Sequence, residues 1–171
     1  MKKVLFVLTA FLMGIGFANA QQRSFHLQYQ GEASLGVGIG IGTYDMTRIP
    51  VRTVHGVRLN ENFFVGAGLG VDLYTSDGCG TIIPIFLNAK AYYPVTDRIS
   101  LLAALDLGGG VGAGDFSSYG GFLVDPQIGC SMNIQNGYAL DFTFGYYHQS
   151  LTRDGLSVNA GALGFKVAFV W

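Results

Sequence analysis

From residue 29 onward, apolar side chains fall at every second position, and the pattern returns in eight separate segments. A period of two marks a strand whose two faces differ. Residues 29–42 set Tyr29, Ala33, Leu35, Val37, Ile39 and Ile41 against Gln30, Glu32, Ser34, Gly36, Gly38 and Gly40. Residues 63–74 set Phe63, Val65, Ala67, Leu69, Val71 and Leu73 against Phe64, Gly66, Gly68, Gly70, Asp72 and Tyr74. Segments 49–59, 82–93, 99–111, 121–132, 138–149 and 158–171 repeat the alternation. The intervening segments 60–62, 94–98 and 133–137 read as short turns, and about 42–48, 75–81, 112–120 and 150–157 as longer loops. Short turns would then lie on one rim and longer loops on the other, the asymmetry of an outer-membrane barrel.

Composition decides which face points outward. Half of the residues are hydrophobic and 12% are charged, against about 25% charged in an ordinary soluble domain. The faces opposite the apolar ones are mostly Gly, Ala and Ser with isolated charges, too sparse for a soluble surface. Eight apolar faces are also too bulky for the inside of an eight-stranded barrel, which is only just wide enough for side chains. The inverse arrangement works. Apolar residues would meet lipid, and Glu32, Arg52, Arg58, Asp72, Lys90, Asp106, Asp125, Asp141 and Lys166 would point into the lumen. Each segment approximates the 9–11 residues of a tilted spanning strand, and closure pairs every backbone group, as lipid demands. The expected fold is therefore all-β: an eight-stranded antiparallel up-and-down transmembrane β-barrel with a filled interior.

Finer expectations follow from the same pattern. Pairing of the last two strands about a loop centred near residues 153–154 would set Asp141 opposite Lys166 as a lumenal ion pair. Tyr29, Phe63, Tyr93, Tyr138 and Trp171 would form an aromatic girdle on the short-turn side, with Tyr74, Phe122 and Tyr146 on the loop side. Pro126 falls mid-strand, where a missing N–H predicts a bulge or local break.

The first twenty residues follow a different rule. Lys2 and Lys3 precede an apolar stretch from Val4 to Phe17, and Ala18-Asn19-Ala20 ends it. This is the pattern of a secretory signal peptide, so residues 1–20 are expected to be removed and 21–171 to form one barrel domain. Without Lys2 and Lys3 the chain carries 8 basic residues against 11 acidic ones. No basic stripe is present, which argues against nucleic acid as a partner.

Few residues suggest chemistry. His148 and Ser150 share a face at the loop end of the seventh strand, with Asp154 or Asp115 as conceivable supporting acids. His55 lies on the outward face of the second strand and His26 ahead of the first. Neither belongs to a spaced ligand set, so no metal is expected. The glycine runs, including Gly66-Ala67-Gly68-Leu69-Gly70, precede no helix and match no phosphate loop. Cys79, in a loop, and Cys130, on the lipid face, are expected to stay unbonded. Asp45, Asp77, Asp115 and Asp154 fall in the four outer loops, where solvation accounts for them as well as cation binding would. The expected site inventory holds no catalytic residue, no cofactor and no metal.

The alternating strands, the leader and the terminal Phe165-x-Val167-x-Phe169-x-Trp171 resemble small bacterial outer-membrane barrels of the OmpA transmembrane-domain and OmpX type. Thr53-Val54-His55-Gly56-Val57-Arg58-Leu59 followed by Phe63-Phe64-Val65-Gly66-Ala67-Gly68 is similar to a Bacteroidetes branch of such barrels. The resemblance implies location in the outer membrane, contact with its lipid and lipopolysaccharide, and insertion by the barrel-assembly machinery reading the last strand. It does not imply one activity; the expected protein is a monomer of structural or surface-interaction type. With no further domain expected after Trp171, cell-wall anchoring is not. Outer-membrane lipid A deacylases also place an H-x-S pair at a strand end, so His148 and Ser150 keep a lipid-modifying hydrolase as an alternative, and a narrow solute pore is another.

Overall fold

The period-two segments become eight antiparallel strands in the computed structural model, which describes residues 27–41, 46–75, 80–113, 120–134, 137–153 and 156–171. The strands are β1 (Gln28–Ile41), β2 (Arg48–Arg58), β3 (Phe63–Tyr74), β4 (Gly80–Pro94), β5 (Ile99–Ala113), β6 (Gly120–Asn133), β7 (Ala139–Arg153) and β8 (Leu156–Val170). Each pairs with its sequence neighbours, and β1 pairs with β8 to close the barrel. The leader, His26, Cys79, Asp45, Asp77, Asp115 and Asp154 lie outside the described residues.

Closure is completed past the last strand residue. Gly31 and Trp171 exchange backbone hydrogen bonds, N to O, at 2.9 and 3.0 Å. Gly31 is required there by space, since a Cβ would stand 2.6 Å from the Trp171 indole. The indole thus lies across the seam on the outer face.

The faces sort as the composition demands. Outward residues include Leu35, Ile39, Leu69, Ile85, Leu87, Leu107, Ile128 and Phe144, all exposed, whereas Glu32, Asp72, Asp106 and Asp125 show 0% exposure. A barrel with this inverted pattern has a wall that suits hydrocarbon and an interior that suits charge. The near rim carries the connections 59–62, 95–98 and 134–138 together with the first described residues and Trp171. Outward rings form a row there: Tyr138 against Phe169 (5.4 Å), Phe169 against Trp171 (6.1 Å), Trp171 against His55 (6.1 Å) and His55 against Tyr29 (6.2 Å). Phe63 and Tyr93 are exposed on the same rim, and Phe122 and Tyr146 are exposed towards the far one.

The far-rim connections 42–47, 75–79 and 114–119, of 6, 5 and 6 residues, are longer on the whole than the near-rim ones of 4, 4 and 5, as expected, but 154–155 has only 2. Three expectations change, one of them in part. The connection expected at 150–157 is instead ladder, paired up to Arg153 and Leu156, because Ser150 to Thr152 and Ser157 to Asn159 continue the alternation. Tyr74 is not in the girdle. It obeys the parity of Asp72, turns inward and is buried. Pro126 causes no bulge, for the β6–β7 register is the same before and after it, from Val124↔His148 to Gln127↔Gly145. Pairing to β7 does break locally at 125 and 126, the other outcome expected there, and it lapses at 121 and 122 as well, while Pro126 stays paired to Leu105 on β5. Pro50 and Pro84 behave alike: each keeps its partner on one side, Asp72 and Gly110, and lapses on the other. A residue with no N–H forfeits a ladder bond on one side only.

Candidate functional site

The lumen is where the sequence departs from simple packing. Buried inside are five acids, Glu32, Asp72, Asp106, Asp125 and Asp141, and four bases, Arg48, Arg52, Lys90 and Lys166. Isolated charges at such burial would be very costly, so they must be paired. Alternation supplies the positions: every one shares the inward parity of its strand.

At the far end the lumen is apolar. Ile82, Leu151, Ala160 and the ring of Tyr74 cluster there, with Met46 against them. Below them Tyr74 Oη donates to Gln149 Oε1 at 3.1 Å, and Arg48 Nη1 donates to the same oxygen at 3.2 Å. Arg48 also approaches Asp72 and Asp125, each at 3.4 Å.

Arg52 is the hub of the next layer. Its Nε and Nη2 donate to the two oxygens of Asp72 at 3.0 and 2.7 Å, a bidentate clamp. Its Nη1 donates to Asp125 Oδ2 at 2.8 Å and reaches Asp106 Oδ2 at 3.4 Å. The planar guanidinium fork suits this geometry, which an ammonium could not reproduce. Rings lie against the cations: the Arg48 guanidinium carbon lies 4.9 Å from the Tyr147 centroid and that of Arg52 5.2 Å from Phe86. Tyr147 crosses the lumen against Gly164, where any Cβ would overlap the ring. Asp125 also accepts the His148 backbone N–H at 3.1 Å, which offsets the pairing lost beside Pro126. Lys166 reaches Asp106 Oδ2 at 3.6 Å, and Gln127 Nε2 donates to that oxygen at 3.0 Å.

Nearer the near rim Lys90 bridges two carboxylates. It donates to Asp141 Oδ2 at 2.8 Å and to Glu32. The expected Asp141–Lys166 pair is therefore replaced. The true register sets Asp141 opposite Ala168 and Thr143 opposite Lys166, two residues from the expected one. Each charge then turns across the barrel, Asp141 to β4 and Lys166 to β5. Val54, Phe64, Phe86, Tyr92, Leu102 and Leu123 fill the space between the charged groups.

Arg48 adds to the lumenal residues expected from the sequence, which places it in the loop 42–48; it is the first residue of β2. Its parity with Pro50 and Arg52 was the available signal. Arg58, expected in the lumen, sits half-buried at its near mouth, its guanidinium carbon 4.6 Å from the Tyr92 centroid.

The outward histidines are separate. Tyr29 Oη lies 2.6 Å from His55 Nδ1, and Thr53 Oγ1 lies 3.1 Å from His55 Nε2 while donating to the Glu32 carbonyl at 2.8 Å. That chain of donors puts the His55 proton on Nε2. His148 stacks on Tyr146 with centroids 6.2 Å apart, and Ser150 shares its outward parity. Among the described residues no carboxylate meets the His148 ring. Cys130 faces outward as a free thiol.

This barrel, with its apolar outer belt and charged interior, is of the outer-membrane β-barrel class in fold. Two solved structures share the architecture. Neisserial surface protein A matches with a TM-score of 0.61 and 14% identity, over 84% of this chain and 97% of that one. The N-terminal β-barrel domain of Pseudomonas aeruginosa OprF matches with a TM-score of 0.51 and 13% identity, over 85% of this chain and 100% of that one. Neither a family model nor a curated protein matches the sequence.

Proposed function

We propose that this chain is an integral outer-membrane protein of structural or surface-interaction type, without catalytic activity and with a lumen that does not conduct. The observation that carries this is the pairing of opposite polarities: an exposed apolar wall around a cross-linked column of buried ions. A wall of Leu, Ile, Val and Phe would be driven out of water at roughly 25 cal/mol per Å². Arg48, Arg52, Lys90 and their carboxylates span the barrel from β2 to β7, and the Ile82–Leu151 cluster lies across the column at the far end. Continuous water would have to displace all of these. Two of the structures that share the fold bear the names of a surface protein and a barrel domain. The near rim then faces the periplasm and the far rim the exterior, where the connections meet lipopolysaccharide. The protein is a monomer inserted through its last strand, whose Phe165, Val167, Phe169 and Trp171 suit the barrel-assembly machinery.

The test is fractionation with heat-modifiability. Membranes washed in carbonate should retain the protein, and its SDS-gel mobility should shift on boiling. Release into the soluble fraction with no shift would refute membrane insertion. In planar bilayers the purified barrel should give no reproducible unitary conductance, and a regular channel would refute the closed lumen. Lipid A from cells with and without the protein should have the same mass spectrum. A lost acyl chain would instead support a hydrolase acting through His148 and Ser150.

A further inference from the structure

The near mouth of the lumen opens into a cavity of about 700 Å³, and a smaller recess of about 40 Å³ shares several of its walls. Arg58, Gln28, Ser131 and Asn133 line both. We propose that this vestibule binds a small solute through a carboxylate or phosphate group held by Arg58.

The other arginines of the lumen are ion-paired, Arg48 to Asp72 and Asp125, and Arg52 to Asp72, Asp106 and Asp125. Arg58 is not: it forms no ion pair among the described residues, and its buried Nε has no hydrogen-bond partner. A buried donor left unmet costs about 1–3 kcal/mol, so it recruits an acceptor. Its orientation is fixed in advance. The guanidinium lies over the Tyr92 ring at 4.6 Å, and Tyr92 is itself held by Gln30 Nε2 and Asp141 Oδ2, each at 3.3 Å. A planar fork held in place presents two parallel N–H groups, the complement of two oxygens on one carbon or phosphorus. Ser131, 5% exposed, and half-buried Ser100 add hydroxyls, and Asn133 adds an amide, on the opposite wall. Preorganisation of this kind reduces the cost of binding.

Glu61 and Asp97 stand on the exposed outer part of the cavity. They repel polyanions and leave room for a ligand with one anionic group, or one that also carries an amine. The proposal depends on the barrel and its near mouth, and holds whichever membrane surrounds the wall.

The test is NMR of the full barrel, 15N-labelled at arginine and backbone, in maltoside micelles that carry no phosphate. Sodium phosphate and sodium acetate are titrated separately, with sodium chloride at matched ionic strength. The Arg58 Nε–H and the amides of Ser131 and Asn133 should shift saturably with phosphate, acetate or both, and not with chloride. Both salts acting would assign any oxyanion, and phosphate alone a phosphate ligand. Arg58→Gln should abolish the shift of the Ser131 and Asn133 amides. Arg58→Lys, which keeps the charge but loses the fork, should weaken binding at least about tenfold, the order expected for losing a charge-assisted hydrogen bond. Heat-modifiability of each variant confirms that the barrel is formed. Equal shifts with chloride, or unchanged binding in folded Arg58→Gln, would overturn the proposal.

Discussion

Removing the hub of the lumen tests whether paired charge holds this interior together. Arg52→Met keeps most of the volume and removes the guanidinium. Asp72 loses both bonds of its clamp at 3.0 and 2.7 Å, and Asp125 loses its shortest contact to a base, 2.8 Å. Arg48 then faces these two acids alone, at 3.4 Å each, and Lys166 retains Asp106 at 3.6 Å. The buried balance moves from five acids and four bases to five and three. Breaking a buried pair by removing one partner costs about 3–5 kcal/mol, because the other charge is left uncompensated. With a urea slope of about 2 kcal/mol/M, the unfolding midpoint in lipid vesicles should fall by roughly 1.5–2.5 M. The double variant Arg52→Met/Asp72→Asn removes the orphaned charge as well. It should recover about 0.5–3 kcal/mol relative to the sum of the single variants. Tryptophan fluorescence and the heat-modified gel fraction report both. A loss below about 1 kcal/mol for Arg52→Met, or additive single variants, would refute the claim that the charges act as a network.

Three further perturbations probe the wall and its packing. Leu87→Arg places a cation on the fully exposed outer belt and should destabilise the barrel in vesicles by about 2–4 kcal/mol; a neutral result would mean that this face does not meet hydrocarbon. Gly129→Ala drives a Cβ into the Phe142 carbonyl, which the β6–β7 ladder holds in place, whereas Gly120→Ala meets only the Gly110 oxygen at 3.4 Å. The first should cost about 1–3 kcal/mol by overpacking and the second well under 1 in the same urea titration, and equal effects would contradict the packing described. Trp171→Ala strips the indole from Gly31 and its ring neighbours Phe169 and His55, and should slow folding into vesicles and lower the heat-modifiable fraction, with Trp171→Phe recovering most of it.

The parts of this fold that were legible in sequence are those fixed by parity. Register shift by one residue would turn Glu32, Asp72 and Asp106 into lipid, so strand faces are strongly specified. The strand count, the outward belt and eight of the nine buried charges follow from that alone. Cross-barrel partners do not. Asp141 meets Lys90 on β4, a residue 51 positions away, and nothing in the period of either strand encodes which charge reaches across. Even the local Asp141–Lys166 expectation failed on a two-residue register difference, since parity is blind to shifts by two. Strand ends were equally hidden: Arg48 and the segment 150–157 keep the alternation past the point where turn-like residues suggest a loop.

The two mouths of the lumen are chemically unlike, and this bears on where ligands meet the protein. The far mouth is capped by Ile82 and Leu151, with exposures of 0% and 1%, above Arg48 and Gln149. A polar solute there would meet apolar side chains before any unpaired donor. The near mouth offers the reverse: an open polar cavity, and in Arg58 a cation that no acid among the described residues satisfies. The same inward parity of β2 produces Arg48, Arg52 and Arg58. Two are consumed by Asp72 and Asp125 because β3 and β6 bring carboxylates to their depth. At the depth of Arg58 the neighbouring strands present Gln28 and Phe64 instead. The difference between a structural arginine and a binding one is thus set by what lies opposite, and here that is two neutral side chains.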